Sequence, residues 1–296
     1  MPVASPNPAW LLPDWPAPAH VRALCTTRAG GVSAAPYDSL NLGDHVGDDP
    51  NAVQANRQIL HAALGWGAGH TARPVFLRQV HGWRVETLGP GTEDGTEADA
   101  CTATEPGVAC TIMVADCLPV LLTDTRGARV AAAHAGWRGL AGEGGRGVLE
   151  AALECFRPPA QSALGSGAIK NIANAAAPAD LSLPPSGECM AWLGPCIGPT
   201  AFEVGAEVRA AFCDASASAE RHFKPQGSGK YLADLAGLAR QRLAALGVER
   251  VYGNDGSAAW CTVSQPSHFF SHRYGSAFGG SGRFAACIWL DRPAEG

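Results

Sequence analysis

Residues 114–139 read VADCLPVLLTDTRGARVAAAHAGWRG, and this stretch decides the fold prediction. Two apolar runs on either side of the TDTRGAR turn predict a pair of buried strands. Asp116 and Cys117 stand directly before the first run, and His134 ends the second, just before a Gly-Trp-Arg-Gly turn. Buried strands normally carry residues such as valine and leucine. A carboxylate, a thiol and an imidazole here therefore indicate a functional site at the strand ends.

The rest of the chain adds strands and helices on both sides of this pair. Residues 48–65 have an aspartate cap, proline at the first helical position and glycine at the end, which predicts a helix. Two strands are expected to meet in a turn at His81 and Gly82, and Pro119 predicts a break or an edge position in its strand. Strand clusters with helices between them favour one α+β domain around a mixed sheet. The predicted strands are 21–28, 74–82, 83–89, two or three strands within 107–124 and 128–136, and then 189–199, 249–253 and 283–290; the predicted helices are 48–65, 143–156 and 230–247.

The composition is typical of a globular protein. The chain has 296 residues, of which 46% are hydrophobic and 17% charged, and its formal net charge is −5. Because lysine and arginine form no dense basic run, neither nucleic acid nor an anionic membrane is expected as a partner. The N-terminus lacks the pattern of a secretory signal, and no uncharged apolar run reaches about 18 residues. A cytoplasmic enzyme is therefore expected.

Ten cysteines occur in the chain, without a C-x-x-C pair or a zinc-ribbon spacing. In the absence of a secretory signal a disulfide framework is not expected, and most of these thiols are predicted to be small buried hydrophobic residues. Cys117 and Cys196 stand apart because of their neighbours. Cys196 lies in LGPCIGP, where glycine and proline on both sides predict a constrained turn, and we expect this thiol to pack there.

Residues 157–187 differ in composition from the rest of the chain. They are rich in alanine, proline, serine and glycine and show little periodicity. This composition predicts an exposed, partly disordered insertion within the domain.

Three side chains share one sequence context, because His81, Cys117 and His134 each lie at the end of an apolar run beside a glycine or proline turn. Strand ends that converge on one rim of a sheet can bring such residues within ligand distance. A catalytic zinc site takes three protein ligands and leaves one position open. A lone histidine at a strand end, however, is typically a hydrogen-bonded structural residue, and the spacing leaves both interpretations open.

Cys117 also fits a second chemistry, that of a nucleophile activated by His81 or His134. A thiolate serves equally well as a nucleophile and as a metal ligand. The residues alone do not separate these two roles.

Arginines beside glycine turns indicate anion binding. Arg28 precedes AGGVS, whose backbone amides can form an anion-binding concavity. Arg138 follows His134 by four residues, and His272 and Arg273 lie in HFFSHRYG. Arginine suits bidentate phosphate binding, although each of these residues taken singly also fits a surface arginine with a packed stem.

Several separate stretches closely resemble the YfiH-type laccase-domain family. They are TTRAGGVSAAPYDSLNLGDHVGDDPNAVQANR, QVHG, ADAC with GVACTIMVADCLPVLLTD, HAGWRG, LGPCIGP and CTVSQPSHFFSHRYGSAFGGSGRFAACIWL. The similarity runs in the same order from about Val21 to Leu290, interrupted by the 157–187 insertion. A second departure is the turn SHRYGSAFGGSGR, which is longer than the short loop expected there.

The resemblance implies a fold and a cofactor. The fold is one α/β domain over residues 21–292, a mixed β-sheet sandwich flanked by helices, preceded by an N-terminal extension over residues 1–20. The cofactor is one zinc ion near the sheet rim, and the family's metal triad falls on His81, Cys117 and His134.

The resemblance also implies a reaction, the phosphorolysis of adenosine, inosine, guanosine and methylthioadenosine, with hydrolytic deamination of adenosine as a second activity. Purine nucleosides and phosphate are then the partners of a monomer or homodimer. Asp116 either serves as an acid/base or orients a histidine ligand. The candidate catalytic residues are Cys117, Asp116 and His81, and the candidate substrate-binding residues are Arg28, Asn41, Arg138 and Arg273.

Three other functions compete with this one. A copper-dependent polyphenol oxidase needs several copper centres fed by paired histidines, and the nine histidines here include no H-x-H pair. A Cys-His hydrolase that edits peptidoglycan precursors has also been attached to the family. A pure binding module would bind a nucleoside without turnover.

Overall fold

A computed structural model describes residues 7–65, 71–157 and 188–291. The predicted insertion, beyond Arg157, lies outside these residues. The described residues form thirteen strands and six α-helices, numbered in chain order. The strands are β1 (Val21–Cys25), β2 (Arg73–Phe76), β3 (Val85–Thr87), β4 (Ala100–Ala103), β5 (Val108–Val114), β6 (Leu118–Asp124), β7 (Val130–Ala135), β8 (Cys189–Leu193), β9 (Glu203–Val204), β10 (Phe223–Gly227), β11 (Lys230–Ala233), β12 (Arg250–Gly253) and β13 (Phe284–Leu290). The helices are α1 (Pro50–Ala63), α2 (Trp137–Ala141), α3 (Val148–Glu154), α4 (Ala206–Cys213), α5 (Leu235–Ala245) and α6 (His272–Gly275).

Strands β6 and β7 pair antiparallel, as residues 114–139 predict, with Leu118 opposite Ala135. Asp124 closes the turn between them, because its carboxylate accepts hydrogen bonds from the backbone N–H groups of Arg126 at 2.8 Å and Arg129 at 3.0 Å. Aspartate commonly shapes turns in this way. The pair lies at the centre of a six-stranded sheet with the order β12-β8-β6-β7-β4-β3.

A four-stranded sheet, ordered β1-β13-β5-β2, packs face to face on the six-stranded one. Successive side chains of a strand point to opposite faces of the sheet, so strand β5 contributes to both faces of the four-stranded sheet. Ile112 joins Leu121 in the core between the sheets, whereas Met113 joins Leu60 of α1 on the outer face. A third, small sheet has the order β10-β11-β9.

The other face of the six-stranded sheet is covered by helices. Leu122 of β6 belongs to one core cluster with Leu149 of α3 and Leu238 of α5. The resulting layers are α1, the four-stranded sheet, the six-stranded sheet and helices α2 to α5. Both sheets mix parallel and antiparallel pairs. The predicted mixed β-sheet sandwich flanked by helices is confirmed.

One local prediction is wrong in a way that matters for function. Strands β2 and β3 do not form a hairpin: β2 pairs in parallel with β5 in the four-stranded sheet, and β3 pairs in parallel with β4 in the six-stranded sheet. The segment around His81 therefore crosses from one sheet to the other, since each strand finds its partner in a different layer.

Two smaller predictions also differ from the structure. Pro119 neither breaks its strand nor lies at an edge. It stands at the end of the β6–β8 ladder, where its carbonyl accepts the Gly194 N–H and its own missing N–H is tolerated. The helix predicted over 230–247 begins only at Leu235. Residues before it form β11, and Asp234 caps the helix by accepting the N–H of Gly237 at 2.8 Å.

Residues 7–20, assigned to an N-terminal extension, pack against the domain. The ring of Trp10 is buried beside α1 and the outer face of the four-stranded sheet. The backbone of Leu11 exchanges two hydrogen bonds of 2.8 Å with Cys25 at the end of β1. In the part of the chain that the structure describes, no helix has the length and apolar character needed to cross a membrane.

Candidate metal centre and cavity

The predicted ligands meet where the chain crosses between the two large sheets. The parallel strands β2 and β5 end at the same rim, and each is followed by a crossover to the six-stranded sheet. His81 lies on the first crossover and Cys117 on the second. His134 joins them from β7, since its neighbour Ala135 stands opposite Leu118, the residue after Cys117. The candidate ligand atoms of the triad lie within 4.8 Å of one another.

Gly136 allows this close approach. A Cβ atom added there would lie 3.0 Å from Cys117 Sγ and 3.0 Å from His81 Cδ2. Few real Cβ contacts are this short, so a side chain would push both ligands away. The first glycine of HAGWRG thus has a packing role beside the triad.

Asp99 organises the triad from behind. Its Oδ1 accepts a hydrogen bond from His134 Nδ1 at 2.8 Å and another from the backbone N–H of His81 at 2.8 Å. Its Oδ2 accepts the N–H groups of Val80 at 3.2 Å and Gly82 at 2.7 Å. The carboxylate is completely buried. It fixes one ligand ring through Nδ1, so that Nε2 is left for a metal, and it holds the turn that carries another ligand.

Asp99 is a site residue that was not predicted from the sequence, although it lies in ADAC, a stretch that carries the family resemblance. The feature that could have identified Asp99 is a charged residue directly before an apolar strand, which is the same context that marks Asp116. The orienting role considered for Asp116 belongs to Asp99, because Asp116 makes no hydrogen bond to either histidine of the triad among the described contacts.

The triad contains a charge pair. Burial alone would raise the pKa of the Cys117 thiol, but the charge and hydrogen bond of His134, together with His81, lower this pKa to about 6. Burial alone would lower the pKa of His134, but the Cys117 thiolate and the Asp99 carboxylate raise it to about 9. Between these two values the metal-free protein holds a thiolate beside an imidazolium. Metal binding then requires His134 to release its proton.

We expect this pair to be visible in the reactivity of the metal-stripped protein. Labelling of Cys117 by iodoacetamide should follow an apparent pKa of about 6, and His134→Asn should move the midpoint upward because it removes the nearby positive charge. Peptide mass spectrometry across a pH series measures the labelling. Cys155 and Cys213 serve as internal controls, since burial raises the pKa of both thiols. A midpoint for Cys117 near the free-cysteine value of about 8.5 would contradict the charge pair.

Two residues at the site adopt left-handed backbone conformations that usually favour glycine. His81 has φ of 64° and Asp116 has φ of 85°. Such conformations cost about 1–3 kcal/mol each and persist where the surroundings hold them. Asp99 holds His81. The Asp116 carboxylate accepts hydrogen bonds from Thr262 Oγ1 at 2.6 Å and from the backbone N–H of Arg273 at 2.6 Å, which ties the Cys117 crossover to α6.

The triad and Asp116 line a cavity of about 340 Å³, within the ~300–1,000 Å³ range of small-molecule sites. One part of the wall is cationic, and another is apolar. The proximity of Arg283 adds to burial in lowering the pKa of His45. Besides the triad and Asp116, the lining residues are His45, Gln79, Met113, Val114, Ala115, Trp137, Ile197, Phe202, His272, Arg273 and Arg283.

Of the four predicted substrate-binding residues, the structure places one in this cavity, namely Arg273. Arg28 lines neighbouring depressions, and its guanidinium donates to Pro266 O at 2.6 Å and pairs with Asp38 at 3.1 Å. Arg138 is exposed, with its guanidinium 4.4 Å from the ring centroid of Trp137. Asn41 is completely buried, and its Oδ1 accepts the backbone N–H of Arg283 at 2.8 Å.

Cys196 does not line the cavity. It is buried, its thiol accepts a hydrogen bond from Asn254 Nδ2 at 3.3 Å, and burial raises its pKa well above the usual value. These contacts agree with the expected packing role. All ten cysteines are free thiols.

The donor set fits a zinc ion. Two imidazole nitrogens and one thiolate are ligands that zinc takes in catalytic sites. The buried carboxylate behind His134 is the outer partner commonly found with such ligands. Because the triad lines the cavity, a metal held by these three residues would be accessible from it.

Comparison with known proteins identifies the family. The chain matches the model of the multi-copper polyphenol oxidoreductase laccase family over residues 22–166 and 165–291. It belongs to this family. The laccase-domain resemblance found in the sequence is thus confirmed.

Relatives in the laccase-domain family match over nearly their full lengths. A purine nucleoside phosphorylase of Pseudomonas aeruginosa is 48% identical over 283 residues, which cover 95% of this chain and 98% of that protein. The purine nucleoside phosphorylase YfiH of Escherichia coli is 44% identical over 280 residues, which cover 95% of this chain and 98% of that protein.

Solved structures show the same fold. The crystal structure of a Neisseria meningitidis protein is 43% identical, with a TM-score of 0.79, and the match covers 96% of this chain and 100% of that one. The YfiH protein of Bacillus licheniformis is 25% identical, with a TM-score of 0.74, over 92% of this chain and 93% of that one.

Proposed function

We propose that this protein is a zinc-dependent purine nucleoside phosphorylase that also deaminates adenosine. The observation that carries the proposal is the His81, Cys117 and His134 cluster in the wall of a cavity that also presents arginines. Relatives named purine nucleoside phosphorylase, 40–48% identical over 94–95% of this chain, support the reaction class. The expected substrates are adenosine, inosine, guanosine and methylthioadenosine.

The metal would be held by His81, Cys117 and His134, with Asp99 fixing the ring of His134 through Nδ1. A zinc ion in such a site supplies Lewis-acid polarisation and lowers the pKa of a bound water, which suits hydrolytic deamination at C6 of adenine. A metal bound at the triad would keep the sulfur of the half-buried Cys117 deprotonated. Its assigned role is therefore that of a ligand.

Phosphorolysis places two demands on the cavity. A phosphate oxygen forms a bond to C1′ of the ribose while the C1′–N9 bond breaks, and the electron pair and a proton go to the leaving purine. The apolar wall around Met113, Trp137 and Phe202 offers surfaces for the base, and the cationic wall offers contacts for the phosphate. Asp116 is the carboxylate of the cavity wall, and we assign to it the proton transfer with the base.

Product chromatography tests this proposal. Metal-replete protein given each of the four nucleosides with phosphate should release the free base and a sugar 1-phosphate. Adenosine without phosphate should give inosine, because deamination needs water alone. Removing the metal with a chelator should abolish inosine formation and restoring zinc should recover it. No turnover of any purine nucleoside would contradict the proposed function and favour a binding module.

A cysteine hydrolase is the second candidate, because Cys117 Sγ lies 3.7 Å from His81 Nε2 and its pKa is lowered to about 6. A covalent acyl adduct on Cys117, trapped with an activated ester and seen by intact-protein mass spectrometry, would favour it. We expect no such adduct on the zinc-loaded protein, since a metal-bound thiolate is poorly available for attack. A multicopper oxidase would need several copper centres. Within residues 7–65, 71–157 and 188–291 the structure offers one cluster of three candidate ligands.

A further inference from the structure

Arg283 is a cation of the cavity wall to which the proposed mechanism gives no individual role. It directly precedes β13, whose first residue, Phe284, stands opposite Val114 at the end of β5. This register places Arg283 beside the crossover that carries Asp116 and Cys117. The guanidinium lines the cavity, while its Nη1 donates to the backbone carbonyls of Ser281 at 2.9 Å and Gly282 at 3.0 Å.

No carboxylate of the described residues forms a close ion pair with this arginine, although the negative charges of Cys117 and Asp116 favour its charged form. Among the residues that the structure describes, no acidic oxygen lies within 4.0 Å of the Arg283 guanidinium, whereas Arg28, Arg57 and Arg242 each have such a partner. Both oxygens of Asp116 are engaged by Thr262 and by the backbone of Arg273. A partly buried charge is costly without a counter-charge. The cavity therefore offers a prepared cation to an anionic ligand.

The fold holds Arg283 in place through the loop around Asn41. Asn41 Oδ1 accepts the backbone N–H of Arg283 at 2.8 Å, and the Leu42 N–H donates to the Arg283 carbonyl at 2.9 Å. Asn41 Nδ2 is itself fixed by Asp48 Oδ2 at 2.9 Å. A Cβ at Gly43 would lie 2.7 Å from Cγ of Arg283, so a glycine is needed there to accommodate the arginine stem.

Other arginine and histidine side chains face the same cavity. Arg273 and His272 belong to α6, and His45 comes from the loop after Asn41. The Arg273 guanidinium donates to the carbonyl of Glu203 at 3.3 Å and has no acidic partner among the described ion pairs. Guanidinium groups match the geometry of phosphate oxygens. The cationic wall lies in the same cavity as the triad.

We propose that Arg283 is the principal contact of inorganic phosphate in this cavity, with Arg273 and His45 completing the subsite, and that Asn41 is a positioning residue that acts through Arg283. This inference rests on the proposed function, because phosphorolysis requires a phosphate beside the sugar. It replaces Arg28, predicted from the sequence, by an arginine that lines the cavity. The phosphate group of a nucleoside monophosphate has the same chemistry, and the experiment separates the two.

The test compares Arg283→Gln, Arg283→Lys and Asn41→Ala with the wild-type protein, all loaded with zinc. Initial rates are measured against phosphate and against nucleoside, and binding of radiolabelled inorganic phosphate is measured without nucleoside. Arg283→Gln should raise the KM for phosphate by about ten- to a hundredfold, since a charge-assisted contact is lost. The KM for nucleoside should change less than about twofold. The KM of Arg283→Lys for phosphate should lie between those of the wild type and Arg283→Gln, since lysine keeps the charge but not the planar fork. Asn41→Ala should also raise the KM for phosphate.

Two controls make the result specific. Arg209→Gln removes an arginine that is paired with Glu220 outside the cavity and should leave both KM values unchanged. Arg28→Gln tests the competing residue. A raised KM for phosphate in Arg28→Gln but not in folded Arg283→Gln would overturn the proposal. Displacement of labelled phosphate at far lower concentrations of adenosine monophosphate than of unlabelled phosphate would show a nucleotide site instead.

The failure of this subsite and the failure of the proposed function give different results. If no nucleoside is cleaved but phosphate binds to the wild type and not to Arg283→Gln, the subsite stands and the phosphorylase does not. If phosphorolysis proceeds and Arg283→Gln keeps the wild-type KM for phosphate, the phosphorylase stands and the subsite is wrong. Absence of phosphate binding together with absence of turnover overturns both.

Discussion

Replacing Cys117 with alanine should remove the metal from the protein and, with it, almost all turnover. The wild type should carry about one zinc per chain, whereas two histidines alone should not retain the ion through gel filtration. A bound metal contributes several kcal/mol to catalysis, so kcat/KM should fall on the order of a thousandfold or more. Elemental analysis and steady-state rates on the same preparations measure both effects.

Cys189→Ala is the matched control for this variant. Cys189 is a buried thiol at the first position of β8, opposite Asp124 and outside the cavity lining. The Cys189→Ala variant should keep one zinc and wild-type rates, with a loss of about 1 kcal/mol in the free energy of unfolding. Wild-type zinc content in Cys117→Ala, or several coppers in the wild type, would contradict the assignment of the triad.

Replacing Asp99 should have the second large effect, on both stability and metal affinity. Asp99→Ala leaves three backbone N–H groups and His134 Nδ1 without their shared acceptor. Removing one partner of a buried charged pair typically costs about 3–5 kcal/mol, which we expect to find in urea unfolding. Loss of an outer partner of a ligand histidine should weaken zinc binding by about ten- to a hundredfold. Zinc affinity is measured by competition with a chromogenic chelator.

Asp124→Asn separates the metal effect from the stability effect. Asp124 is also a buried aspartate that accepts several backbone N–H groups, but it lies at the opposite end of β6 from Cys117. This variant should lose stability and keep wild-type zinc affinity. Asp99→Asn, which preserves the side-chain volume, should lose zinc affinity as well. Equal zinc affinity in the two asparagine variants would show that Asp99 has only a structural role.

The three residues of the triad could be singled out from the sequence because their signal is local, whereas their interpretation as metal ligands came from the family resemblance. Cys117 and His134 interrupt apolar runs at strand ends, and the same runs pair in the structure with the register that brings these ends together. His81 was found by the same signal although the strands on either side of it lie in different sheets. The position at a strand end, rather than the strand's partner, was the informative feature.

The other parts of the site depend on contacts between distant segments. Arg28 and Arg283 both lie next to glycine-containing turns, and nothing local tells which of them lines the cavity. That is decided by the long-range pairing of β13 with β5, in which Phe284 stands opposite Val114. Asp99 acts on His134 across a strand pair. The crossing of the chain between two sheets, which assembles the rim, likewise follows from long-range strand pairing.

The measurement that tests the central claim most directly is phosphorus NMR of adenosine and phosphate mixed with zinc-loaded protein, with adenine followed by chromatography in the same sample. A sugar 1-phosphate resonance should grow in step with adenine in the wild type. Neither product should form with Cys117→Ala or when phosphate is omitted. Adenine released at the same rate without phosphate, or sugar 1-phosphate formed at the wild-type rate by Cys117→Ala, would contradict a phosphorylase that depends on this metal centre.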